Sequence, residues 1–115
     1  MKIGHIEIFV KDCKTSKDFY CNVLGFEHVA DQGVNQWVKL GDIEILLRQG
    51  NYNQNIATYQ DSSHGLVIYT SNLEKTAEKL RKNGLEFKGT DGNENCLTFT
   101  DIDGHWFQLV NPEHS

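Results

Sequence analysis

The chain has little proline, little sulfur and no long apolar run. Of its 115 residues, one is proline and three are cysteine. Cys13, Cys21 and Cys96 are odd in number and form no CxxC pair, so they are read as reduced thiols in a cytoplasmic protein. Cys13 and Cys21 stand too far apart on one expected helix to bridge within it, and packing is the ordinary role of a buried free cysteine. No stretch approaches the roughly 20 apolar residues of a membrane span. The start, Met1-Lys2-Ile3-Gly4-His5, lacks the pattern of a secretory signal. Basic residues are outnumbered 11 to 16, for a net charge of −5. That balance argues against a nucleic-acid partner and suits neutral or cationic ligands better than polyanions. There is no GxSxG, HExxH or GxxxxGK[ST] motif, so the chemistries that rest on them are not expected.

What is present is a repeat. Residues 3–10 alternate as a strand does, and Asp12 then opens a helical stretch that ends near Gly25. Residues 64–70 form a second such strand, and Asn72 opens a stretch that ends at Gly84. Asp and Asn are strong helix N-caps, and glycine is a common helix stop. The helix boundaries are offset by 60 and 59 residues. Each helix is followed by three strand-like runs, near 26–31, 35–40 and 42–48 and near 85–90, 95–100 and 105–110, with Asp/Gly/Asn turns between them. Each half therefore reads β-α-β-β-β. The expected organisation is one domain over 1–115, with module one at about 1–48, a polar connector at 49–63 and module two at 64–110. A connector of that length is often functional.

Strand alternation assigns faces. Ile6, Ile8 and Val10 oppose His5, Glu7 and Phe9; Ile43, Ile45 and Leu47 oppose Asp42, Glu44 and Leu46; His105, Phe107 and Leu109 oppose Trp106, Gln108 and Val110. A mixed polar and aromatic face suits a ligand-lining sheet, and a half-solvated antiparallel sheet reads the same way.

The segments His5–Asp12, Phe19-Tyr20, Leu24-Gly25-Phe26, Asn72–Lys75 and Phe99–Leu109 resemble the vicinal oxygen chelate superfamily, which holds glyoxalase I, bleomycin-resistance proteins, fosfomycin-resistance enzymes and extradiol dioxygenases. The resemblance covers about residues 3–110. It implies an α+β fold in which two βαβββ modules form a curved mixed-sheet cleft. Its metal-dependent members hold one divalent ion (Zn, Ni, Fe or Mn) on side chains from the first and last strand of each module. Carried onto this chain, those positions fall on His5, Glu44 and Gln108, while the fourth falls on Gly65, which has no side chain. His64 would serve only if a bulge at Ser63-His64-Gly65 turned it round.

Two functions follow from the resemblance and stay open at this point. One is a metal-free binder of a cationic or aromatic small molecule, using Glu7, Phe9, Trp37 and Trp106, which resembles bleomycin-resistance proteins. The other is a metal-dependent lyase or isomerase resembling glyoxalase I, with Glu44 exchanging a proton. Tyr52 and Tyr59 in the connector could cover such a site or lie on a solvated loop. A homodimer is the expected assembly, and neither nucleic acid nor membrane is an expected partner.

Overall fold

The computed structural model describes residues 1–52 and 55–114. Residues 53 and 54, inside the expected connector, lie outside the described residues. The chain divides into two compact units, Met1–Asn53 and Gln54–Ser115.

Unit one runs β1 (Ile6–Val10), α1 (Cys13–Asp18), a π-helical turn (Phe19–Val23), β2 (Glu27–Gln32), β3 (Asn35–Leu40) and β4 (Ile43–Gln49). Asp12 caps α1, its Oδ1 accepting from the backbone N–H of Lys14 at 3.0 Å and Thr15 at 3.1 Å. The helix ends by widening into the π turn, and Gly25 at φ 82° reverses the chain, a conformation that glycine adopts without a Cβ penalty. The sheet order is β1-β4-β3-β2, with β1 and β4 parallel and the other pairs antiparallel. Ile8, Val10, Val38, Ile45 and Leu47 are buried on the face that α1 packs against, with Tyr20 and Phe26. The expected alternation of β1 holds: Glu7 and Phe9 are exposed.

Unit two runs a single 3-10 turn (Tyr59–Asp61), β5 (Leu66–Tyr69), α2 (Leu73–Lys82), β6 (Cys96–Thr100) and β7 (Trp106–Val110). Asn72 caps α2 through the Lys75 N–H at 3.0 Å, and Gly84 at φ 103° ends it. The sheet order is β5-β7-β6, with β5 and β7 parallel. Its core is aromatic. Phe99 and Phe107 stack with centroids 5.1 Å apart, and Phe87 meets Phe99 edge-on. Burying each such ring is worth about 1.5–3 kcal/mol.

The second unit departs from the expected repeat at 85–90, where no regular strand forms. The Lys88 N–H donates to the Thr98 carbonyl at 2.7 Å, while the Thr98 N–H donates to the Gly89 carbonyl at 3.1 Å. Two residues thus oppose one, as in a β-bulge, and Gly89 takes the positive φ (85°) that the distortion requires. Only the bridge Thr90–Leu97 continues the pairing. All three cysteines are free, and burial pushes the Cys21 thiol pKa up, which disfavours the nucleophilic thiolate. Among the described residues, no helix is long and apolar enough to cross a membrane.

Candidate functional site

In unit one the face of the sheet opposite α1 carries a connected row of side chains. The Arg48 Nη1 donates to Glu7 Oε1 at 2.8 Å, and the His5 Nε2 donates to Glu7 Oε2 at 2.8 Å. The Arg48 hydrogen bond first, and the His5 hydrogen bond second, hold the Glu7 carboxyl below its ordinary pKa. The Arg48 guanidinium also lies 5.4 Å over the Phe9 ring, within cation–π range. The His5 ring meets Trp37 edge-on at 4.7 Å. Trp37 is half-buried and donates its indole N–H to Gln32 at 3.2 Å. Glu7 and Arg48 are 41 residues apart in sequence; the parallel β1–β4 pairing brings them together.

Glu44 is exposed on the same face. The register pairs Ile6 with Ile45 and Glu44 with Lys39, so His5, which immediately precedes β1, and Glu44 each stand one residue before the first paired residues of β1 and β4. Trp37 lies two residues from Lys39 on β3, diagonal to Glu44, a relation of roughly 7–8 Å on one sheet face. Lys39 is turned toward Glu27 at 3.8 Å.

In unit two the connector turn sits on the sheet. The Thr58 side chain caps it, accepting from the Asp61 N–H at 3.3 Å and donating to Asp61 Oδ2 at 2.9 Å. Tyr59 then lies over Gly65: a Cβ built there would fall 2.7 Å from both Cε1 and Cζ of the tyrosine ring. Gly65 does not have a positive φ, so its lack of a side chain answers to space and not to backbone conformation. Trp106 is buried; its indole N–H donates to the Ile56 carbonyl at 3.0 Å, and its ring meets Tyr59 edge-on. Gln108 is buried and donates its amide N–H groups to Tyr59 Oη at 3.2 Å and Asp91 Oδ2 at 3.1 Å. Gln60 donates to the other Asp91 oxygen at 3.0 Å.

His64 is exposed and precedes β5, with Nδ1 2.9 Å from Ser63 Oγ. The β5–β7 pairing runs from Leu66 without a register shift.

Sequence reasoning assigned no role to His105. The structure pairs it with Asp101, whose carboxylate accepts from the Asp103 N–H at 3.0 Å, the His105 N–H at 2.9 Å and His105 Nδ1 at 2.9 Å. The Asp101 side chain is fully buried, and the pair closes the β6–β7 loop. An aspartate four residues before a histidine, across the Asp-Gly turn, was the available signal.

Register also corrects one carried position. Ile6 pairs with Ile45 in unit one as Leu66 pairs with Phe107 in unit two. The counterpart of Gln108 is therefore Leu46, a buried apolar residue, and not Glu44. A two-residue link joins β3 to β4, whereas five residues join β6 to β7, so the two strands do not align by distance from the preceding strand.

The four positions at which the resemblance implies metal ligands are thus His5, Leu46, Gly65 and Gln108. Leu46 and Gly65 offer no donor. A carboxylate only accepts, so the His5 Nε2 carries a hydrogen and leaves Nδ1 as the one nitrogen with a lone pair. Gln108 commits its nitrogen to Asp91 and Tyr59, which leaves one neutral amide oxygen as its whole offer to an ion. Among the described residues, no group of three or more His, Cys, Asp or Glu side chains is placed to share an ion. This donor set does not fit a resident divalent ion.

Comparison with known proteins agrees with the architecture. Residues 2–109 match the family described as the Glyoxalase/Bleomycin resistance protein/Dioxygenase superfamily. The uncharacterized protein YetH of Bacillus subtilis (strain 168) is 24% identical, across 94% of this chain and 96% of its own length. The fosfomycin resistance protein FosX from Listeria monocytogenes superposes with a TM-score of 0.74 at 21% identity, over 95% of this chain and 90% of that one. A second FosX structure was solved with Mn(II) and sulfate ion. UcmS2 superposes with a TM-score of 0.71 at 27% identity, over 95% and 96% of the two chains.

Proposed function

We propose that this chain, which belongs to the Glyoxalase/Bleomycin resistance protein/Dioxygenase superfamily, binds a small molecule through side chains and not through a resident metal ion. The observation that carries this reading is Tyr59. Its ring fills the space over Gly65, and its oxygen takes the Gln108 amide N–H, so the tyrosine packs against two of the positions that a metal centre would need. FosX, whose fold this chain shares, was solved with Mn(II). The alternative reading, a metal-dependent lyase or isomerase, needs an ion held near His5, Glu44, Gln108 and His64. The donor set described above speaks against it.

The exposed sheet face of unit one supports capture of an aromatic cation. The Glu7 carboxylate already has partners in Arg48, which carries the opposite charge, and in the His5 ring N–H. Glu44 has no hydrogen-bond or ion-pair partner among the described residues and stands diagonal to Trp37. A carboxylate beside an indole face suits an ammonium group on an aromatic body, through charge and cation–π attraction together. Benzylammonium is the simplest probe. Two-dimensional NMR titration of the wild type should show saturable binding, and Trp37→Ala and Glu44→Gln should each weaken it about five- to tenfold, the range of one lost cation–π or charged contact. Equal affinity in both variants, or no saturable binding in the wild type, would sink the cation reading.

A further inference from the structure

We propose that the Tyr59 hydroxyl is itself a ligand-binding group, donating its proton to the carbonyl oxygen of a neutral ligand, with Gln108 and Asp91 as the residues that position it. The inference deepens the reading above and rests on it in one respect, that the chain binds a small molecule without a metal.

The argument is one of hydrogen-bond direction. A carboxylate accepts and cannot donate, so the 3.1 Å contact between Gln108 Nε2 and Asp91 Oδ2 fixes which end of the amide faces inward. The same nitrogen then gives its second hydrogen to Tyr59 Oη at 3.2 Å. The phenol oxygen is therefore an acceptor in that bond, and its own proton points away from Gln108. Among the described residues, no acceptor is hydrogen-bonded to that proton. The group is rigidly held: Thr58 caps its turn, the Ser62 N–H donates to the Tyr59 carbonyl at 3.1 Å, and the ring packs edge-on against buried Trp106. A fixed donor with its proton free is what a binding site presents to an oxygen acceptor.

Charge selects the kind of acceptor. Asp91 stands one amide behind the hydroxyl, and two neutral amides, Gln60 and Gln108, are its side-chain partners. An anionic ligand oxygen would meet like charge there, while a ketone, amide or ester carbonyl would not.

The test uses three probes of one size, benzamide, benzoate and benzylammonium, titrated by NMR into the wild type and Tyr59→Phe. The phenylalanine variant keeps the ring over Gly65 and loses only the hydroxyl. The expected result is that benzamide binds the wild type more tightly than benzoate, and that Tyr59→Phe weakens benzamide about tenfold, the worth of one well-made hydrogen bond. Benzylammonium, which has no acceptor and is assigned to the sheet face of unit one, should bind both proteins alike, and unchanged amide chemical shifts for β5–β7 in free Tyr59→Phe exclude a merely structural effect of the substitution. Unchanged benzamide affinity in Tyr59→Phe would overturn the proposal, as would binding of benzylammonium without benzamide. Benzoate binding as tightly as benzamide would overturn the assignment to a neutral carbonyl. If none of the three probes binds the wild type, the small-molecule reading itself fails, and this proposal with it.

Discussion

Replacing Gly65 with alanine is expected to cost about 1–3 kcal/mol of stability, the usual range for forcing extra volume into a filled site. The added Cβ would lie closest to the Tyr59 hydroxyl oxygen, and 2.7 Å from two carbons of its ring. The backbone at Gly65 is not strained for an L-residue, since its φ is not positive, so the whole cost should trace to that ring. To make room, Tyr59 must swing off the sheet, giving up its bond from Gln108 and its contact with Trp106. The control is a double-mutant cycle by urea unfolding. In a Tyr59→Ala background, Gly65→Ala should cost less than about 0.5 kcal/mol, because the two sites are coupled through one contact. Tyr59→Phe should give only part of that relief, since it removes the colliding hydroxyl oxygen but leaves the two ring carbons in place. A Gly65→Ala penalty of the same size in all three backgrounds would mean that the tyrosine is not what keeps position 65 bare.

The second large effect is expected at Asp101. Its buried carboxylate accepts from two backbone N–H groups and from the His105 ring. Asp101→Ala strands all three donors inside the β6–β7 loop. Each stranded buried donor costs about 1–3 kcal/mol, with partial relief as the loop opens to water. A total loss near 3 kcal/mol follows, and since β6–β7 carries the stacked Phe99 and Phe107, it should be read as global unfolding. Asp101→Asn keeps one oxygen for the backbone donors and should lose about half as much. If alanine and asparagine were equally harmless in urea unfolding, the loop would not depend on this carboxylate.

The features legible in the sequence are those decided within a few residues. Asp12 and Asn72 bond the N–H groups two or three residues on, and Gly25 and Gly84 supply a positive φ at the helix ends. Both are local events, so the repeat could be read directly and the helix starts fell where expected. The bulge at Gly89 was harder: its glycine was visible, but the distortion depends on Thr98 across the sheet. The site was less legible for the same reason. Gly65 stood out as a gap, but what fills it is a ring six residues earlier, held by the Thr58 cap and by Gln108. The Glu7–Arg48 bond and the Leu46–Gln108 correspondence depend on parallel register, which local periodicity does not specify. Trp106 offered an aromatic ring on a mixed face; tertiary packing buried it beneath the connector turn.

The central claim is that this chain binds its ligand without a resident ion, and a metal titration tests it most directly. Chelator-stripped protein would be titrated calorimetrically with Mn(II), Zn(II), Ni(II) and Fe(II), alongside His5→Ala and Glu44→Ala. The account predicts no one-to-one site tighter than about millimolar in the wild type, because Leu46 and Gly65 provide no ligand and His5 and Gln108 can offer only one neutral donor atom each. A stoichiometric micromolar site lost in either variant would contradict it and return the metal-dependent reading to first place.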